Sequence, residues 1–179
     1  MKSGYRFGVN LTTMSIKSIG NNVETELPVG IHFGGNYEIS LNKNLTIQSG
    51  FLFSSKGTDY RINNVYYSIA PSYFEISVNA AYYFGRRKTR LAIFGGPYFS
   101  SAFGGYKIDQ DGAFKYLSLG LHERNDLKCL DAGLNFGAGL HMKGHAISIQ
   151  YGIGLRNISP KNAFEMRNKV IGITVSSLK

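Results

Sequence analysis

Asp131-Ala132-Gly133-Leu134-Asn135-Phe136-Gly137-Ala138-Gly139-Leu140-His141 alternates without a break. Ala132, Leu134, Phe136, Ala138 and Leu140 form one apolar set. Asp131, Gly133, Asn135, Gly137, Gly139 and His141 form a small or polar one. A period of two is the mark of a strand whose faces meet different surroundings, and a helix of period 3.6 would scatter both sets around its axis.

The same alternation recurs outward from this stretch in both directions. It predicts eight strands at 4–14, 28–40, 45–56, 69–84, 90–103, 128–141, 146–158 and 169–178. One parity collects Tyr5, Phe7, Val9 and Leu11, then Val29, Ile31 and Phe33, then Phe51 and Phe53, and so on to Ile171, Ile173 and Val175. No charged residue enters it. The other parity collects Gly8, Asn10, His32, Gly34, Gln48, Gly50, Ser77, Asn79, Ser148, Gln150 and Gly152 beside a few charges.

The connectors alternate in length. Long ones at 15–27, 57–68, 104–127 and 159–168 take turns with short ones at 41–44, 85–89 and 142–145. Consecutive strands of a closed up-and-down barrel are joined first at one rim, then at the other, and in bacterial transmembrane barrels the periplasmic turns are the short ones. The fold class expected is therefore all-β: an eight-stranded antiparallel up-and-down transmembrane barrel, one domain over 1–179, with four longer extracellular loops.

Composition agrees. The 179 residues hold 12 Tyr, 12 Phe and 22 Gly but only 4 Pro, with charged residues at 17%, which suits strands that pack aromatics on one face and glycine on the other. No run of about 18 apolar residues exists, so a transmembrane helix is not expected. The lone Cys129 rules out an internal disulfide. The chain opens on a strand-like segment with no leader-type apolar stretch, so a mature form, exported on a signal peptide since removed, is expected.

A net charge of +9 invites a nucleic-acid reading. The densest basic cluster, Arg86-Arg87-Lys88 followed by Arg90, falls in a short turn and not on a helix or an aromatic platform. No nucleic acid is expected; anionic lipid headgroups are the better counterpart.

Orientation decides between a membrane barrel and a soluble one. If the apolar parity lined a cavity, as in a lipocalin-like ligand-binding barrel, glycine would dominate the solvent face, where it has no role. Glycines fit the inside of a narrow eight-stranded barrel, which has room only for side chains. The polar parity therefore points inward. Its charges are Arg6, Lys56 and Arg156 against Glu38, Glu75 and Asp131, and buried charges must pair. Register counting from His141 opposite Ala146 sets Asp131 against Arg156. Counting from Leu45 opposite Phe84 sets Lys56 against Tyr73 and diagonal to Glu75. Arg6 and Glu38 fall together near the short-turn rim. A charge-paired plug is expected, not an ion path.

Several stretches resemble the PorT-like outer-membrane β-barrel family of Bacteroidetes. They are Gly30-Ile31-His32-Phe33-Gly34-Gly35, then 45–57, Tyr73-Phe74-Glu75-Ile76-Ser77-Val78, Gly95-Gly96-Pro97-Tyr98 and 131–139, in order over nearly the whole chain. The resemblance implies outer-membrane location and a barrel, in a family of diverse roles that includes a component associated with protein secretion. It brings no catalytic motif. Such barrels usually end in an aromatic, whereas this chain ends Ser176-Ser177-Leu178-Lys179; either Leu178 stands in for it or the true end has been trimmed.

His32, His122, His141 and His145 show no HxH or HExxH spacing, so neither metal nor cofactor is expected. A lipid-modifying barrel enzyme is the catalytic alternative. It would need Ser, His and an acid facing outward near a rim, and there is no GxSxG. The pairs Gly34-Gly35, Gly95-Gly96 and Gly104-Gly105 have no helix or Lys-Ser/Thr after them, so they read as bends or close packing and not as phosphate loops. The connector 104–127 mixes Asp109, Asp111, Lys115, Glu123 and Asp126 with aromatics. It reads as a strand extension beyond the membrane, or as a binding loop in which Phe114, Tyr116, His122 and Arg124 meet a protein or a surface glycan. The function expected is non-enzymatic: anchoring or partner docking in the envelope, with a link to secretion. The partners expected are outer-membrane lipid, lipopolysaccharide and envelope or secretion proteins, around a monomeric barrel.

Overall fold

The computed structural model describes residues 1–18, 23–62, 65–85, 89–108, 111–162 and 164–179. Arg86, Arg87 and Lys88 of the basic turn, and Asp109, lie outside the described residues. Eleven strands are present among the described ones: β1 (Lys2–Ser18), β2 (Val23–Glu26), β3 (Val29–Ser40), β4 (Leu45–Ser55), β5 (Thr58–Ile62), β6 (Val65–Phe84), β7 (Arg90–Ile108), β8 (Phe114–Tyr116), β9 (Leu130–Met142), β10 (His145–Gly154) and β11 (Phe164–Ser177).

Eight of them close a ring, β1-β3-β4-β6-β7-β9-β10-β11, each antiparallel to its neighbours, and β11 pairs back onto β1. Closure matters because an open edge in an apolar solvent would leave amide groups without partners. The remaining three strands build onto one rim. β5 continues the β4–β6 hairpin, β2 adds to β5, and β8 adds to β7. Both chain ends sit at the other rim, where Ser3 and Lys179 exchange backbone hydrogen bonds of 3.0 and 2.9 Å.

The apolar parity faces out all round the ring, with Phe7, Ile31, Ile76, Ile93, Phe136, Ile149 and Val175 all exposed. From Phe74 down to Phe84 this outer face is uninterrupted. That is the length a tilted strand needs to cross a hydrocarbon core, about 9–11 residues. An aromatic cluster holds the outside of the wall together: Phe53 lies 4.4 Å from Phe74, and Phe74 lies 4.7 Å from Phe103. The lipocalin-like alternative, with apolar side chains lining a cavity, is overturned by this orientation.

Two registers differ from the counted ones. Leu45 pairs with Tyr82, not Phe84, because a single register runs from Ser55↔Ser72 through Thr58↔Ile69 to Ile62↔Val65. Across β9 and β10, Ala146↔His141 holds as far as Gly154↔Gly133 and then stops. There the amides of both Leu155 and Arg156 turn to the carbonyl of Ala132, and Arg156 leaves the wall for solvent. Arg156 is therefore not a lumen residue and does not face Asp131.

Candidate functional site

The lumen is packed in layers. At the short-turn rim, Glu38 Oε1 accepts from Gln48 Nε2 at 2.8 Å and from the Tyr83 hydroxyl at 3.1 Å. The Tyr83 oxygen lies 3.4 Å from His141 Nδ1, and the Arg90 guanidinium caps the Tyr83 ring at 4.4 Å. Arg6 does not join Glu38, since it sits opposite Gly34 while Glu38 sits opposite Lys2, four residues further along β1. Its guanidinium reaches instead toward Ser77, 3.4 Å away, in space that a side chain at Gly50 would fill.

The middle layer is fully buried. His32 bridges Asn10 Oδ1 at 2.8 Å and Thr174 Oγ1 at 2.9 Å, tying β3, β1 and β11 together. Gly8 permits this: a Cβ there would meet the His32 ring at 2.6 Å and the Ile173 carbonyl at 2.1 Å. Lys56 Nζ and Glu75 Oε2 form an ion pair of 2.5 Å, and the ammonium lies 4.5 Å from the Tyr98 ring centre and 5.2 Å from that of Tyr73. Asp131 Oδ2 accepts from Asn168 Nδ2 at 2.9 Å and from the Tyr98 hydroxyl at 3.1 Å. Two neutral donors thus occupy the place that Arg156 was expected to fill.

The lumen charges among the described residues are Arg6, Lys56 and Arg90 against Glu38, Glu75 and Asp131. Arg156, one of the six expected, is exposed instead, and Arg90 at the short-turn rim was not among them. Parity alone could have found Arg90, which shares its face with Ala92; the basic turn beside it drew attention away. Voids of about 40 and 10 Å³ remain in the lumen. Each is room for isolated waters.

Above the polar layers the mouth is closed by apolar side chains. Met14, Ile69, Leu117, Leu127, Ile158 and Met166 form one buried cluster. The segment 117–127 folds back over the opening through Ser118, whose amide and carbonyl bond Asp126, and Asp126 in turn pairs with Lys107 at 2.6 Å. The opposite loop delivers Ile158, which bonds the carbonyl of Met166 through its amide.

The four residues of the expected binding loop are divided between two features. Phe114 and Tyr116 lie on β8, 62% and 85% exposed, with Phe114 stacked on Tyr106 at 5.0 Å. His122 and Arg124 stand on the exposed turn that follows, where the Asn125 amide bonds the His122 carbonyl. His32 and His141 both sit within the lumen networks.

The family model described as "Outer membrane protein beta-barrel domain" matches residues 2–159. Among solved structures, the outer membrane protein OprG of Pseudomonas aeruginosa superposes with a TM-score of 0.56 at 11% identity, over 99% of this chain and 93% of that one. Ail, the attachment invasion locus protein of Yersinia pestis, gives 0.45 at 13% identity, over 98% and 97%. The N-terminal β-barrel domain of Pseudomonas aeruginosa OprF gives 0.42 at 14%, over 97% of each chain. A search of curated proteins finds no match. With its apolar girdle turned outward and its ring closed, this chain belongs to the outer-membrane protein β-barrel domain family and resides in the outer membrane.

Proposed function

We propose that this barrel is a non-enzymatic anchor that works through its extracellular end, docking an envelope partner on the β7–β8 edge. The observation that carries this reading is an exposed strand edge: among the described residues β8 pairs with β7 alone and ends the sheet on that side. An exposed edge with aromatic side chains is a template for strand addition: main-chain bonds supply affinity and the alternate side chains supply selectivity. Phe114 and Tyr116 are those side chains here, and His122 and Arg124 offer polar contacts from the neighbouring turn.

The narrower resemblance to PorT-like barrels favours a secretion or envelope complex as the partner. The outer leaflet's lipid and lipopolysaccharide surround the anchor, which acts as a monomer toward its own kind. The test is cross-linking in intact cells, comparing wild type with the Phe114→Ser/Tyr116→Ser pair. A protein adduct of defined mass that disappears in the pair, while the barrel still shows heat-modifiable migration, supports the reading. An absent adduct, or one that survives both substitutions, overturns it.

A further inference from the structure

We propose that the extracellular mouth holds a binding site for a small amphiphile, a flat apolar body carrying one anionic group. The site is a cleft of about 240 Å³ above the apolar cluster that closes the lumen. Its size suits a fragment-sized ligand, since pockets for larger ones begin near 300 Å³. The cleft is distinct from the docking edge, since none of Phe114, Tyr116, His122 and Arg124 lines it.

Three features select the ligand. The floor is hydrocarbon: Ile16 and Met166 are register partners on β1 and β11, and Ile69 stands across from them on β6. One wall is flat, because Tyr60 and Tyr67, directly paired across β5 and β6, stack with ring centres 5.3 Å apart and planes 13° from parallel. Aromatic walls of this kind favour a planar guest. The rim is cationic. Lys107 is paired with Asp126, and Lys161 is the one further charge among the described residues of the lining.

An apolar guest dropped on that floor would keep its charged group at the solvent edge beside Lys161. The cleft ends on a closed floor, because Met14, Leu127 and Ile158 beneath it are fully buried. The activity inferred is capture at the cell surface, not permeation.

The four methionines give a built-in readout. Met14 and Met166 lie at the cleft and beneath it, while Met142 ends β9 at the opposite rim and reports on partition into lipid. The experiment titrates the full-length barrel in nanodiscs, carbon-13 labelled at the methionine methyls, with 2-naphthoate and separately with neutral 2-naphthylmethanol. A saturable shift of Met166 with Met142 unmoved is expected. Tyr60→Ala is expected to weaken both probes about tenfold. Lys161→Gln, at an exposed position, is expected to weaken naphthoate about fivefold and leave the alcohol unchanged. Met166 and Met142 shifting together without saturation overturns the proposal, as does equal binding of acid and alcohol by the wild type.

Discussion

Below Leu11 and Ile171, β1 and β11 turn Phe7, Val9, Ile173 and Val175 outward and Asn10, Gly8, Thr174 and Gly172 inward. Above that level the same two strands turn Thr13, Ser15, Arg167 and Lys169 outward and Met14, Ile16 and Met166 inward. The polarity inverts within a continuous ladder, for the register between the strands runs unbroken from Arg6↔Ser176 to Ser18↔Phe164. No bulge performs the switch; only the residue types change. The lower region is a protein inside out, because its outer solvent is hydrocarbon and polar groups can persist only within, bonded to one another. The upper region stands in water and returns to the ordinary arrangement, with an apolar core under covering loops.

The strongest way to break the comparison is to unbalance the lower region. Glu75→Leu leaves the Lys56 ammonium buried without its carboxylate and is expected to cost about 3–5 kcal/mol. Adding Lys56→Met should restore most of the loss, since removing both partners also removes the desolvation penalty. Urea unfolding of vesicle-embedded barrel measures both variants. Equal loss in the single and double variants would mean that the pair contributes nothing through its charge.

In the upper region the equivalent probe is packing. Leu127→Ala empties part of the cluster over the mouth and is expected to cost about 3 kcal/mol. Because Leu127 belongs to a loop and not to the ring, the barrel should still insert and keep its heat-modifiable migration. The loss should show as faster protease cleavage within 117–127. Loss of insertion instead would mean that the mouth and the wall are one cooperative unit.

Smallest in effect, but sharpest for locating the boundary, is an arginine placed on the outer face of β1. Phe7→Arg sets a charge in the apolar girdle at an expected cost of about 2–3 kcal/mol. Ser15→Arg, four outward positions higher on the same strand, should stay within about 0.5 kcal/mol, as surface changes do. Folding titrations into vesicles compare them. Similar costs at both positions would erase the inversion level drawn at Leu11.

That inversion also explains what could be read from the chain beforehand. Alternation over 131–141 and its counterparts located every wall strand, because a two-faced environment imposes a period of two. The first strand was cut at 14 and the last begun at 169 because the phase of the pattern changes there, although the backbone continues to Ser18 and starts at Phe164. The short additions β2, β5 and β8 have too few residues for a period to show. Lumen partners were harder still. Asp131 meets Tyr98 and Asn168, which are 33 and 37 positions away in the chain. No spacing rule links residues brought together by ring geometry. Arg156 was assigned inward by extending a register past Gly154, where the strand gives way to a loop that must deliver Ile158 to the mouth.

The seam between β1 and β11 has a bearing on biogenesis. It joins the first strand of the barrel to its last, so the cylinder cannot shut until β11 has been made. Before that moment two rows of amides stand bare, and each would cost several kcal/mol if pushed into acyl chains. Entry into the bilayer and sealing of the wall must therefore coincide, or proceed under a factor that shields both margins. A lesion inside β11 should thus arrest the polypeptide outside the membrane entirely, not yield a seven-stranded remnant within it.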